Sequence, residues 1–222
     1  MPFRFRREAT RPAGPRREFT GPLEPQPPLY RSPTLKALVA RLAGDEQHNI
    51  LDLQAAVGAN IEFFSRFACR FRIVDLPGTL DEDDLRPLLA SEPEVAFLRL
   101  VPRPTEPYDV VLAWEAFNYL TRDQMRCLAD RLAATCRADA LMLAFFVTTK
   151  HVPSRPPLFR IVDEETVRWQ PTTVEVRPAP GFAPAEIERL TQGFAVVHSV
   201  LMRHGVREYL FQRRGDPVFP AR

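Results

Sequence analysis

The sequence lacks a long apolar stretch. Its longest mostly apolar run, residues 138–147, is about half as long as a membrane-spanning helix requires. Cysteine is also scarce, and Cys69, Cys127 and Cys136 show no Cys-x-x-Cys spacing. That pattern favours buried, reduced thiols over a disulfide framework or a functional thiol. We therefore expect no membrane span and a cytoplasmic location.

The common catalytic and metal-binding motifs are missing as well. The sequence contains no Gly-x-Ser-x-Gly, no P-loop and no His-Glu-x-x-His, which argues against the usual hydrolases and nucleoside triphosphatases. Its four histidines have no metal-ligand spacing. A metal site is therefore not expected.

Strong overall charge is absent too, because the formal net charge of the 222 residues is only +2. The charge is unevenly placed: residues 1–31 hold seven Arg and three Glu, giving +4 there and about −2 in the remainder. This segment mixes Arg, Pro and Gly without an apolar period, so it is predicted to be a disordered arm. It is either a solvated tail or a contact for a protein partner; a nucleic-acid partner is not expected.

Behind the arm, a single domain is predicted over residues 32–214, with a flexible tail at 215–222. Ser32-Pro33 has the form of a helix start, and Gly44 of a helix end. Short apolar runs then alternate with amphipathic stretches, as in βα units. The predicted strands are residues 50–53, 71–74, 95–101, 109–114 and 140–147.

The later part of the chain carries stronger local signals. Thr121-Arg122-Asp123-Gln124 is a capping box that opens an amphipathic helix, and Pro184 starts a short helix through Leu190. The β-rich runs 194–202 and 206–212 predict a terminal antiparallel hairpin. Residues 158–169 predict an inserted hairpin, which is either a lid over the substrate side or a dimer edge.

This order of elements resembles that of the class I S-adenosylmethionine-dependent methyltransferases over roughly residues 48–213. The resemblance implies an α/β, Rossmann-like fold with a seven-stranded, mostly parallel sheet and a terminal antiparallel hairpin. It also implies S-adenosylmethionine as cofactor, bound at the carboxyl ends of the strands.

Three segments carry the resemblance. Asp52-Leu53-Gln54-Ala55-Ala56-Val57-Gly58 stands in place of the family's acidic residue and Gly-x-Gly-x-Gly loop, of which the acid and the last glycine match. Asp75 ends the second predicted strand, where the family binds the ribose hydroxyls. Residues 112–120 resemble the cofactor-facing turn after the fourth strand. The residues implied to bind cofactor are Asp52, Gln54, Gly58, Asp75 and Trp114.

The resemblance further implies that Glu115, Asn118 and His151 face the substrate. Each of these residues also has an ordinary structural alternative: Asn118 could bond the backbone before a helix, and His151 could be an exposed loop histidine. In the same way, Asp52 could cap its loop, Asp75 could be a solvated strand-end acid, and Trp114 could be a core residue.

Two functions therefore follow from the sequence. One is a methyltransferase for a small-molecule substrate, which can work largely by positioning and desolvation because the sulfonium is already activated. The other is a non-catalytic methyltransferase-like protein that serves as a binding or interaction module, because Gln54 and Ala56 occupy positions where glycine allows the cofactor to approach closely.

Overall fold

The computed structural model describes residues 28–44, 46–80 and 82–215. Its β-strands are β1 (Leu29–Arg31), β2 (His48–Asp52), β3 (Cys69–Ile73), β4 (Tyr108–Trp114), β5 (Cys136–Val147), β6 (His151–Pro153), β7 (Leu158–Ile161), β8 (Thr166–Gln170), β9 (Val176–Pro178), β10 (Phe194–Leu201) and β11 (Val206–Arg213). Its α-helices are α1 (Pro33–Val39), α2 (Gly58–Phe64), α3 (Leu76–Leu80), α4 (Leu85–Ser91), α5 (Pro93–Leu100), α6 (Arg122–Thr135) and α7 (Pro184–Leu190).

The central sheet has the strand order β10-β11-β5-β4-β2-β3. Strands β3, β2, β4 and β5 are parallel neighbours, whereas β11 is antiparallel both to β5 and to β10. The terminal hairpin and an α/β fold with a mixed sheet are therefore confirmed. The predicted strand count is wrong, since this sheet has six strands among the described residues and not seven.

The segment 95–101 explains part of the difference, because it was expected to be a strand and lies instead in helix α5. Pro93 stands in the first turn of α5, and the buried side chains of Ala96, Phe97 and Leu100 form one helical face. A short apolar run has no clear period, so periodicity cannot separate a buried strand from a buried helix. The chain therefore reaches β4 through three consecutive helices after β3.

The helix starts read from the sequence are confirmed. The Thr121 hydroxyl accepts the Gln124 amide at 3.3 Å, while the Thr121 amide donates to Gln124 Oε1 at 2.9 Å, which completes the capping box. Ser32 caps α1 by accepting the Leu35 amide at 3.2 Å. Helix α7 runs from Pro184 to Leu190, as predicted.

The folded domain includes residues that were assigned to the arm. Leu29–Arg31 form β1, which pairs antiparallel with β8, so these residues belong to the folded domain and not to a disordered arm. Residues 1–27 and 216–222 lie outside the described part of the chain. We predicted an arm that contacts a partner and a flexible tail beyond Gly215. Both therefore stay predictions.

The predicted inserted hairpin is present as β7 and β8, which pair antiparallel. With β1 they form a second, three-stranded sheet in the order β1-β8-β7, and β6 pairs with β9 in a third, two-stranded one. Buried side chains of the β7–β8 sheet, such as Phe159 and Val167, pack in the same hydrophobic cluster as residues of β4 and β5. The insertion is thus part of the core.

No helix within the described ranges is long and apolar enough to span a membrane. Cys127 and Cys136 are buried and Cys69 is partly buried, and all three are free thiols.

Candidate functional site

The carboxyl ends of β2 and β4 meet at Asp52 and Trp114. The Trp114 indole Nε1 donates to Asp52 Oδ1 at 2.8 Å, and the backbone amide of Gln54 donates to the same oxygen at 3.2 Å. Trp114 holds the left-handed backbone conformation, with φ of 47°, at the point where β4 ends. Sparsely populated backbone geometry of this kind collects at functional sites. The two residues thus join the ends of neighbouring strands, and the space between these strand ends and β7 is called the cleft.

Burial sets the ionisation of Asp52. The residue is only 1% exposed, and this desolvation raises its pKa to about 7 in spite of the hydrogen bond from Trp114. The carboxyl group is therefore a poorly solvated acceptor that is partly protonated near neutral pH.

The Gln54 side chain pairs with the free edge of β7. Its Nε2 donates to the Phe159 carbonyl at 2.9 Å, and its Oε1 accepts the Phe159 amide at 3.0 Å. Asn60, in α2, continues the same pattern: it donates to the Phe159 carbonyl at 2.9 Å and accepts the Ile161 amide at 2.8 Å. Two side-chain amides thus take the place of a neighbouring strand, which holds β7 over the loop that follows β2.

Aromatic rings fill the space beneath β7. Phe159 stacks on Trp114 with ring centroids 5.3 Å apart and planes 2° from parallel. Phe145 meets both rings edge-on, at 5.7 Å from Trp114 and 5.1 Å from Phe159. Since Phe159 and Asn60 are fully buried and Gln54 is 4% exposed, the cleft is closed to bulk solvent. Any ligand that touches Asp52 or Gln54 must first displace β7.

The remaining cofactor candidates lie outside this closed cleft. Asp75 follows β3 with an exposed side chain, and its Oδ1 accepts the Gly78 amide at 3.0 Å, which caps α3. A Cβ on Gly78 would come within 2.5 Å of Asp75 Oδ2, so the exposed Asp75 side chain would have to shift to accommodate it. Gly58 begins α2, and a Cβ added to it would meet open space. Gly58 therefore shows no close approach that demands glycine.

The substrate-facing candidates divide into two groups. Asn118 donates to the Phe145 carbonyl at 3.0 Å and accepts the Val147 amide at 3.2 Å, so its side chain ties the turn after β4 to the end of β5. This is the structural alternative that the sequence allowed. Glu115 and His151, in contrast, line one common cavity.

That cavity has a volume of about 480 Å³ and lies beside the ends of β4 and β5. Its wall is mainly apolar and includes Val147, Val152, Trp169 and Val206. Glu115 is 3% exposed, its Oε2 has no hydrogen-bond partner among the described residues, and burial raises its pKa to about 8. The sequence thus identified an acid that the structure leaves buried and unsatisfied at a cavity.

Sequence reasoning missed Asn60, Phe159 and Tyr30. Asn60 is a polar residue within a helix and Phe159 belongs to an alternating strand, so neither pattern differs from ordinary surface or core positions. Tyr30 fell within the predicted arm, yet it lines the cavity. Within the described ranges, no three His, Cys, Asp or Glu side chains come together as a possible metal site.

No protein-family model matches the sequence, and no curated protein matches it. Solved structures do. An S-adenosylmethionine-dependent methyltransferase from Clostridium acetobutylicum aligns with a TM-score of 0.50 at 8% identity, over 82% of this chain and 92% of that one. A protein from Pyrococcus horikoshii aligns with a TM-score of 0.51 at 10% identity, over 82% and 88% of the two chains.

A third similar structure is a 1,6-didemethyltoxoflavin-N1-methyltransferase from Burkholderia thailandensis, solved with 1,6-didemethyltoxoflavin and S-adenosylhomocysteine. It aligns with a TM-score of 0.49 at 16% identity, over 82% of this chain and 77% of that one. At such identities structural likeness concerns the fold. The chain has the fold of the class I S-adenosylmethionine-dependent methyltransferases.

Proposed function

We propose that this protein is an S-adenosylmethionine-dependent methyltransferase that acts on a small molecule. The observation that carries the proposal is the cavity beside Glu115, which lies at the carboxyl edge of the parallel strands. In open α/β sheets, ligands bind at this edge. The likeness in fold to the Clostridium acetobutylicum methyltransferase supports the choice of reaction.

With β7 in place, the residues at the end of β2 do not fit the cofactor, because Asp52, Gln54 and Trp114 are enclosed by Phe159. Cofactor binding therefore requires β7 to separate from α2 and from the loop after β2. Asp75 is open to solvent beside this cleft, and its carboxylate is available to accept hydrogen bonds from ribose hydroxyls.

When bound, S-adenosylmethionine would supply an activated methyl group for an acceptor, and Asp75 would hold its ribose hydroxyls. The role of the protein is to bind and orient the acceptor and to exclude water. The apolar wall of the cavity suits that role. A small-molecule acceptor, and not a nucleic acid, belongs to the same proposal, since the formal net charge is only +2. A cytoplasmic location is proposed with it, because the three cysteines are free thiols.

A second candidate function is that of a non-catalytic binding protein that retains the methyltransferase fold. A specific observation favours it. Four hydrogen bonds between β7 and the side chains of Gln54 and Asn60 hold this strand in place, and the Phe159–Trp114 stack fills the cleft. A protein that no longer binds the cofactor gains stability from such filling, because buried apolar rings replace a solvated cleft.

Calorimetric titration of the full-length chain with S-adenosylmethionine and S-adenosylhomocysteine separates the two functions. The proposed methyltransferase binds both, and Asp75→Ala weakens the binding. Asp83→Ala, which removes an exposed acid of the next loop, serves as the matched control and leaves the affinity unchanged. If neither ligand gives heat or a thermal shift at millimolar concentration, the methyltransferase proposal fails and the binding protein is favoured.

A further inference from the structure

The cavity beside Glu115 has the properties of a ligand site in its own right. Its volume of about 480 Å³ falls within the range of roughly 300–1,000 Å³ that is usual for small-molecule pockets. Such pockets combine apolar walls with a few polar groups that fix the ligand's orientation. Here the apolar wall comes from the ends of β5, β6, β8, β9 and β11, and the polar groups are few.

Two of those polar groups lack partners inside the protein. Glu115 Oε2 and the Tyr30 hydroxyl are buried, and neither makes a hydrogen bond to another described residue. A buried polar atom without a partner costs about 1–3 kcal/mol. Both residues line the same cavity, so a small rotation of each side chain toward it would let one ligand contact both groups and remove this cost.

The charged residues around the cavity restrict which charge the ligand can carry. Among the described residues that line it, the only acid is Glu115, and no Lys or Arg is present. His151 is exposed at the rim, and burial lowers the pKa of His204, which disfavours its cationic form. An anionic ligand would find no cation to pair with, whereas a cationic nitrogen beside Glu115 would lower the pKa of that acid, favour its carboxylate form and pair with it.

We propose that this cavity binds a small, mostly apolar amine, with the amine nitrogen hydrogen-bonded to Glu115 and the apolar part packed against Trp169 and the valines of the wall. Phe159 and Trp169 are register partners in β7 and β8, so their side chains share one face of that sheet. The amine site therefore adjoins the closed cleft. That the amine is also the methyl acceptor rests on the proposed function, but its binding does not.

The test compares three probes of similar size on the full-length chain without cofactor: phenethylamine, phenethyl alcohol and hydrocinnamate. Calorimetry is expected to show the amine binding most tightly and the carboxylate most weakly. Glu115→Gln keeps the shape of the side chain and removes its ability to ionise, and it is expected to weaken amine binding about ten- to a hundredfold while changing alcohol binding little. Glu164→Gln, at an exposed acid of the β7–β8 turn, is the control and leaves all three affinities unchanged.

A second pair of variants alters an exposed residue of the cavity wall, so that misfolding from a change at a buried position is avoided. Val176 lines the cavity and is 65% exposed, so it tolerates a charged side chain. Val176→Lys is expected to weaken amine binding and Val176→Glu to strengthen it, with the alcohol insensitive to both. The proposal is overturned if no probe binds, if the carboxylate binds best, or if the Glu115 and Val176 variants leave amine affinity unchanged. Failure of S-adenosylmethionine to bind would contradict the proposed function alone.

Discussion

Phe159 lies on Trp114 with their rings 2° from parallel, and this contact joins an inserted strand to the end of β4. The Trp114 indole in turn donates to Asp52 at the end of β2. Strand β7, the tryptophan and the buried acid therefore form one continuous packing unit across the cleft. Whether this protein binds a cofactor depends on how readily that unit opens.

Removal of the Phe159 ring is expected to open the cleft. Phe159→Ala should increase affinity for S-adenosylhomocysteine, measured by calorimetry, because β7 then loses its stack on Trp114. It should also lower the free energy of unfolding by about 3–5 kcal/mol. Phe97→Ala is the matched control, since Phe97 is equally buried but lies in helix α5, within the other hydrophobic cluster. A gain in affinity in both variants would show that general loosening is the cause.

The two amide side chains are expected to hold separate points of β7. In Gln54→Ala, the Phe159 amide loses its acceptor and should exchange its hydrogen faster, while the Ile161 amide, held by Asn60, should change less. Asn60→Ala should give the reverse pattern. Each loss leaves a buried donor unsatisfied and is expected to cost about 1–3 kcal/mol. Amide hydrogen exchange followed by NMR measures both, and an identical response to the two substitutions would contradict separate anchoring.

Stability is expected to fall as pH rises across the neutral range. Burial raises the pKa of Asp52 from 3.8 to about 7 and that of Glu115 from 4.5 to about 8. Well below the unfolded-state pKa values of 3.8 and 4.5, both groups are protonated whether the chain is folded or unfolded. As pH rises the unfolded state releases its protons first, so the free energy of unfolding decreases until the folded groups ionise.

Chemical denaturation at a series of pH values tests this dependence. The double variant Asp52→Asn, Glu115→Gln should show a shallower fall in stability between about pH 4 and pH 8, because neither amide titrates. Asp83→Asn, at an exposed acid, should retain the full slope. Equal slopes in all three proteins would mean that the two buried acids do not control the pH dependence.

The capping box should contribute measurably to stability. Thr121→Ala removes the acceptor of the Gln124 amide at the start of α6 and is expected to cost about 0.5–2 kcal/mol in urea denaturation. Thr105→Ala, at an exposed loop position, should cost much less. A similar loss in both variants would argue against a specific role for the cap.

Local patterns in the sequence were enough to locate several elements. The Thr121–Gln124 box predicted the start of α6, because a side chain and a backbone amide three residues apart form that cap without help from the rest of the chain. Pro184 predicted α7 for a similar reason, since proline fits the first turn of a helix. The strand prediction for segment 95–101 was wrong because the segment is buried against helix α6, and no periodicity of its apolar residues indicates that contact.

For the candidate site, too, the sequence predicted one part and the tertiary structure decided another. The sequence by itself determined which residues follow the parallel strands, and with them Asp52, Asp75, Trp114 and Glu115 as candidates. Only the tertiary structure decided what these side chains meet. Phe159 lies 105 residues after Gln54, and nothing local to either residue indicates their pairing. That contact arises because the free edge of β7 needs hydrogen-bond partners that Gln54 and Asn60 supply, and because burial of Phe159 on Trp114 stabilises the closed cleft.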